Sequence, residues 1–141
     1  MNIELHLRIV GVALFALLGL NFVLPRRFHW RDELWRLSPI NRQIFIVHAI
    51  FIALLLGMFG ALSLIFAPLL TAPGPLARLV LGGLALFWLV RLLAQWLIYD
   101  RALWRGKAFE TSMHVTFTLV WLYFTATYSA ALWLNLEGVT P

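Results

Sequence analysis

The chain has 141 residues, of which 62% are hydrophobic and 12% charged, with a formal net charge of +5 and no cysteine. So apolar a composition cannot clothe a water-soluble domain of this size, and it reads as an integral membrane protein. Disulfide frameworks, thiolate metal sites and thiol nucleophiles are excluded, and the positive charge points to membrane topology and anionic lipid headgroups rather than to nucleic acid.

Four apolar runs each supply the roughly 20 residues that a spanning helix needs, and helices are predicted at about 5–24, 39–67, 78–99 and 110–134. The fold class is therefore all-α, a polytopic four-transmembrane-helix bundle forming one transmembrane domain over residues 1–141. Pro25 follows the first run, and the connector after it carries Arg26, Arg27, Arg31, Arg36 and Arg42. Ser38-Pro39 supplies an N-cap residue with proline at the first helical position, so the second helix begins well before Ile44. Within it Ala53, Gly57 and Ala61 recur every fourth residue, a small-residue face suited to close helix packing in lipid.

Ala67-Pro68 through Pro73-Gly74-Pro75 reads as a short turn that makes the second and third helices antiparallel neighbours. The connector after the third helix holds Arg101, Arg105 and Lys107. Lys and Arg in short loops are retained on the cytoplasmic side, so both basic connectors are placed there and both termini outside the cytoplasm, in the inner membrane. Arg8, offset by Glu4, is the basic residue that opposes this orientation. Trp30, Trp35, Trp96, Tyr99 and Trp104 gather at the cytoplasmic boundary as an aromatic belt, and Trp133 marks the other side.

Two segments look like one hairpin written twice. Gly11-Val12-Ala13-Leu14-Phe15 is echoed by Gly83-Leu84-Ala85-Leu86-Phe87, and Leu34-Trp35-Arg36 by Leu103-Trp104-Arg105. A histidine follows each tripeptide early in the next apolar run, His48 and His114, both about 6–8 Å inside the boundary. As an internal repeat the halves would be related by a pseudo-twofold axis along the membrane normal, with the two histidines as mates.

Polar residues cluster around these positions. Arg91 lies deep enough to require water, snorkelling or a partner, and Gln95 is its i+4 neighbour. Glu110 and His114 are also four apart, and Thr118, Thr125 and Ser129 continue the stripe. These residues suggest a cytoplasmic-side site of His48, Arg91, Gln95, Glu110 and His114, with Glu110 or Asp100 as counter-charge for Arg91.

Three uses of such a site stand open. A pair of imidazoles on facing helices can ligate a b-type haem through both axial positions, making His48 and His114 the metal ligands of an electron-transfer protein. Alternatively, Arg91 and His48 grip the head of a lipid- or quinone-like amphiphile while Trp88, Trp96 and the phenylalanines line its tail. In the third use the protein is a subunit or binding scaffold whose polar residues satisfy one another, a second copy or other membrane chains. No catalytic set is evident, since Glu110-His114 has equally the spacing of a helix-stabilising pair, and an enzyme is not expected. His6 and His29 read as interface or solvated side chains.

Through Arg42-Gln43-Ile44-Phe45-Ile46-Val47-His48 and Arg105-Gly106-Lys107-Ala108-Phe109-Glu110-Thr111, with His114 following, the chain resembles a group of small bacterial four-helix inner-membrane proteins. That resemblance implies a bacterial origin and four-helix topology, and attaches no activity, cofactor or residue role.

Overall fold

The computed structural model describes residues 2–27, 30–100 and 104–138. His29, Arg101 and Leu103 lie outside the described residues, as do the side chains of Pro25, Arg26, Arg27 and Arg31. The architecture is all-α: α1 (Ile3–Arg27), α2 (Trp30–Leu34), α3 (Pro39–Ile65), α4 (Ala67–Thr71), α5 (Pro75–Leu97) and α6 (Ala108–Glu137). Four of these, α1, α3, α5 and α6, are long and apolar enough to cross a bilayer, and the protein is a multi-pass membrane protein. A helix meets that environment because it satisfies its backbone groups internally where no water can.

Helix ends follow local chemistry. The Ser38 side chain accepts from the Asn41 N–H at 3.5 Å and Pro39 opens α3. Gly138 ends α6 in the left-handed region at φ 69°, its N–H reaching Leu134 O, a conformation that glycine adopts without a Cβ penalty. α1 continues two residues past Pro25, farther than the apolar run alone suggested. The first basic connector carries the short α2, and its aromatic residues clip onto the start of α3: Trp30 meets Phe45 edge-on at 5.6 Å, and the Arg42 guanidinium sits 4.0 Å over the Trp35 ring.

The chain divides into two compact units, one of Arg8–Ala67 and the other of the described residues on either side of it. In the first unit α1 and α3 run antiparallel and approach backbone to backbone. A Cβ on Gly11 would stand 2.7 Å from Leu64 N and 2.9 Å from Gly60 O, and one on Gly60 3.2 Å from the Phe15 ring. Gly57, from the expected small-residue face, receives Leu18 at 3.6 Å, but the tightest approach belongs to Gly11 and Gly60, outside that series.

In the second unit α5 and α6 are antiparallel and the contact is made by large rings. Trp88 stacks on Trp121 at 5.0 Å and 13° and meets Phe124 edge-on at 4.9 Å, and Trp88, Phe124 and Tyr128 are fully buried. Asn135 closes the end of this hairpin beside the Pro-Gly-Pro turn. Its Nδ2 donates to Leu70 O (3.3 Å) and Ala72 O (2.8 Å), while Oδ1 accepts from Gly74 N–H (3.3 Å) and Arg78 Nε (3.1 Å). Arg78 Nη2 adds a bond to Asn135 O at 3.1 Å. An amide has two donors and a two-pair acceptor, and Asn135 uses all of them while 1% exposed.

Candidate functional site

The other end of the α5–α6 hairpin is built on the turn Trp104-Arg105-Gly106-Lys107. Gly106 takes φ 81°, and the Trp104 carbonyl accepts both the Lys107 N–H (3.2 Å) and the Thr111 hydroxyl (2.7 Å). Two bonds on one carbonyl fix where the indole goes, and it lies flat on the His114 ring at 4.4 Å and 9°. His114 stands near the second turn of α6; opposite it, in the last turns of α5, Gln95 is buried at 5% exposure. A bond of 3.0 Å joins Gln95 Nε2 to His114 Nδ1, and Arg91 Nη1 donates to Gln95 Oε1 at 3.2 Å.

This chain of contacts fixes the direction of every proton in it. A guanidinium only donates, so the carbonyl end of Gln95 faces Arg91 and its NH₂ faces the imidazole. Nδ1 of His114 therefore accepts, and the network assigns the ring proton to Nε2. Nε2 has no partner among the described residues. Gln95, Trp96, Tyr99, Trp104, Arg105 and His114 together line a cleft of about 450 Å³.

Arg91 has no carboxylate partner among the described residues, contrary to the expected counter-charge. The Gln95 amide takes one donor, and the guanidinium carbon sits 4.9 Å over the Trp121 ring and 5.9 Å from that of Tyr99. Delocalised charge over aromatic faces costs less in lipid than a bare ammonium, which suits arginine to this depth. Glu110 is exposed in the first turn of α6, where a carboxylate complements the helix dipole, and no described contact joins it to His114 or Arg91.

Beyond His114 the polar stripe does not continue as a network. Thr125 returns its hydroxyl to Trp121 O of its own helix at 2.8 Å, Ser129 is exposed, and the buried Thr118 hydroxyl has no partner among the described residues. His48 belongs to the other compact unit, exposed, with Nδ1 donating to Ile44 O at 2.8 Å. A carbonyl can only accept, so the neutral His48 ring carries its proton on Nδ1, the reverse of His114.

That opposition tests the haem alternative. An imidazole that binds iron through Nε2 holds its proton on Nδ1 and donates it to an acceptor behind it. His48 meets that requirement, while His114 faces an NH₂ donor held in place by Arg91. The residues as arranged do not fit a bis-histidine haem.

Two features lay beyond the sequence reading. Arg105 and Trp104, expected as topology and interface residues, form a wall of the cleft; the repeated Leu-Trp-Arg tripeptide is the signal the sequence offers. His6, set aside as an interface residue, bonds through Nδ1 to the Tyr123 hydroxyl at 2.9 Å. Among the described residues no group of three or more His, Asp or Glu side chains is placed to hold a metal ion. Comparison with family models, curated proteins and solved structures returns no match.

Proposed function

We propose that the protein is a binding scaffold of the bacterial inner membrane, with both termini outside the cytoplasm, whose α5–α6 cleft on the cytoplasmic side receives the polar head of an amphiphile. The observation that carries this reading is the coincidence of an aromatic-walled cleft with an internally ordered polar chain, Arg91–Gln95–His114, opening into it. Ligand sites combine mostly apolar walls with a few convergent polar groups, and this cleft has that composition. Exposed apolar faces adjoin it, as Leu97 and Ile98 are 79% and 77% exposed, so a tail can lie along the hairpin in lipid.

The test is lipid extraction and mass spectrometry of protein purified in mild detergent. An amphiphile should accompany the wild-type protein and fall about tenfold in the His114→Ala, Arg105→Ala double variant, the loss of roughly one charge-assisted hydrogen bond. Equal recovery from both proteins would overturn the assignment of the site. A Soret band abolished by His48→Ala and by His114→Ala separately would restore haem, and stable co-purification of another membrane chain without lipid would make this a subunit. The cysteine-free chain also allows a clean orientation test: single cysteines at Arg36 and Arg105 should label from the same, cytoplasmic side.

A further inference from the structure

The side-chain groups that the described lining of the cleft leaves free are almost all hydrogen-bond donors. Both ends of the Gln95 amide and Nδ1 of His114 are occupied by one another and by Arg91. What remains on the described lining is the His114 Nε2–H, the Arg105 guanidinium, the Trp96 indole N–H and the Tyr99 hydroxyl. Only the last of these can also accept. Among the described residues no carboxylate lines the cleft, and Trp104 Nε1 is buried without an acceptor. The same deficit extends inward, where Trp88 Nε1 and Trp121 Nε1 are also buried without a partner among the described residues. Unpaired buried donors are costly, so the described side chains at this end of the hairpin are short of acceptors.

We infer that the cleft selects an anionic lipid, one whose head offers an oxyanion to the His114 Nε2–H and the Arg105 guanidinium. The inference rests on the amphiphile reading above and narrows it. A phosphodiester or carboxylate brings acceptor oxygens and negative charge together, complementing both the donors and the positive lining. A zwitterionic choline head adds a cation beside Arg105, and a quinone carbonyl accepts but carries no charge. Arg91 acts at a distance as a positioning residue. Its guanidinium sets the Gln95 amide, the amide sets the imidazole tautomer, and the tautomer makes Nε2 a donor.

The Gln95→Glu variant separates these steps. A glutamate still accepts from Arg91, but its second oxygen faces Nδ1 as an acceptor, which draws the proton of the neutral ring to Nδ1 and leaves Nε2 an acceptor. Nitrogen-15 NMR of histidine-labelled protein in lipid nanodiscs reads this directly. For His114 the proton belongs on Nε2 in the wild type and on Nδ1 in Gln95→Glu; a wild-type ring protonated on Nδ1 overturns the inference. Native mass spectrometry of the full-length protein with phosphatidylglycerol, phosphatidylcholine, palmitate and a prenylated benzoquinone then reads selectivity. We expect phosphatidylglycerol or palmitate to be retained about tenfold over phosphatidylcholine and the quinone, and the preference to vanish in Gln95→Glu. Retention of phosphatidylglycerol alone identifies a phosphodiester, and of palmitate alone a carboxylate. Equal retention of all four, or preference for the quinone, ends the oxyanion inference while leaving an amphiphile site in place. Retention of none above the His114→Ala, Arg105→Ala variant ends both.

Discussion

The α1–α3 hairpin is closed by the absence of side chains, and the α5–α6 hairpin by their abundance. Gly11 and Gly60 bring two backbones together, leaving no room for a group between them. In α5–α6 the space is filled by Trp88, Trp121 and Phe124, with polar side chains at either end: Asn135 and Arg78 at one, Arg91, Gln95 and His114 at the other. Close backbone packing needs little beyond van der Waals contact in lipid, whereas wide, ring-spaced packing leaves room for hydrogen-bonding groups and a cleft. The chemistry therefore gathers in the hairpin that is packed through its side chains.

The comparison is tested most severely at Asn135. Replacing it with alanine strands Leu70 O, Ala72 O, Gly74 N–H and Arg78 Nε together, leaving only the Arg78 Nη2 bond to the backbone carbonyl, and unpaired groups at a membrane helix end have few alternatives. We expect a loss of about 3 kcal/mol, read as a fall in the midpoint of thermal unfolding in detergent. Asn135→Asp keeps the acceptor and its bond to Arg78 but gives up both donors, and should recover part of the loss. A midpoint unchanged in both would show that ring packing alone closes this hairpin.

Gly11→Ala probes the other hairpin. Its new methyl meets Leu64 N and Gly60 O, backbone atoms that cannot rotate away, so the helices must part, at about 2 kcal/mol. Gly83→Ala, at the position the repeat pairs with Gly11, meets nothing within 4 Å and should be neutral or gain up to about 0.5 kcal/mol from helix propensity. Equal losses at the two positions would mean that the hairpins pack alike after all, and would favour the internal repeat.

How much of this was legible differs by scale. Length and hydropathy are sums over many residues, and four apolar runs left few architectures besides membrane-length helices. Ser38-Pro39 is a local signal whose partners lie within the same turn. Asn135 gave no such signal. Asn21 is also an asparagine in an apolar helix, yet its Nδ2 returns to Leu17 O of its own helix, and what distinguishes Asn135 is a turn more than sixty residues away in sequence. Arg91, Gln95 and His114 were named from spacing, and the structure joins them; Glu110 shares the spacing but points to a charged helix start, and His48 sits in the other unit. Spacing along one helix identifies a shared face, but the tautomer of His114 depends on a residue of the neighbouring helix.

The smallest loss of stability falls on the feature the hairpins share most plainly, the tripeptide Leu-Trp-Arg. In the first connector Trp35 is 63% exposed and its only described contact is the Arg42 guanidinium over its face, a pairing worth about 0.5–1 kcal/mol at an exposed site. Trp35→Ala should lower the unfolding midpoint slightly and leave lipid retention unchanged. Trp104→Ala is predicted to cost similarly little in stability, because the turn is held by the Trp104 carbonyl and not by its ring. Its consequence is different in kind. Without the indole stacked on His114 the imidazole loses the surface that orients it, and the cleft loses a wall, so retention of phosphatidylglycerol should fall toward that of phosphatidylcholine. Trp104→Phe restores the face without the N–H and should recover most of the retention, since the indole N–H is buried and unpaired and stacking is what positions the histidine. If Trp35→Ala and Trp104→Ala reduced retention equally, the two connectors would serve one site, and the distinction between a packing hairpin and a binding hairpin would collapse.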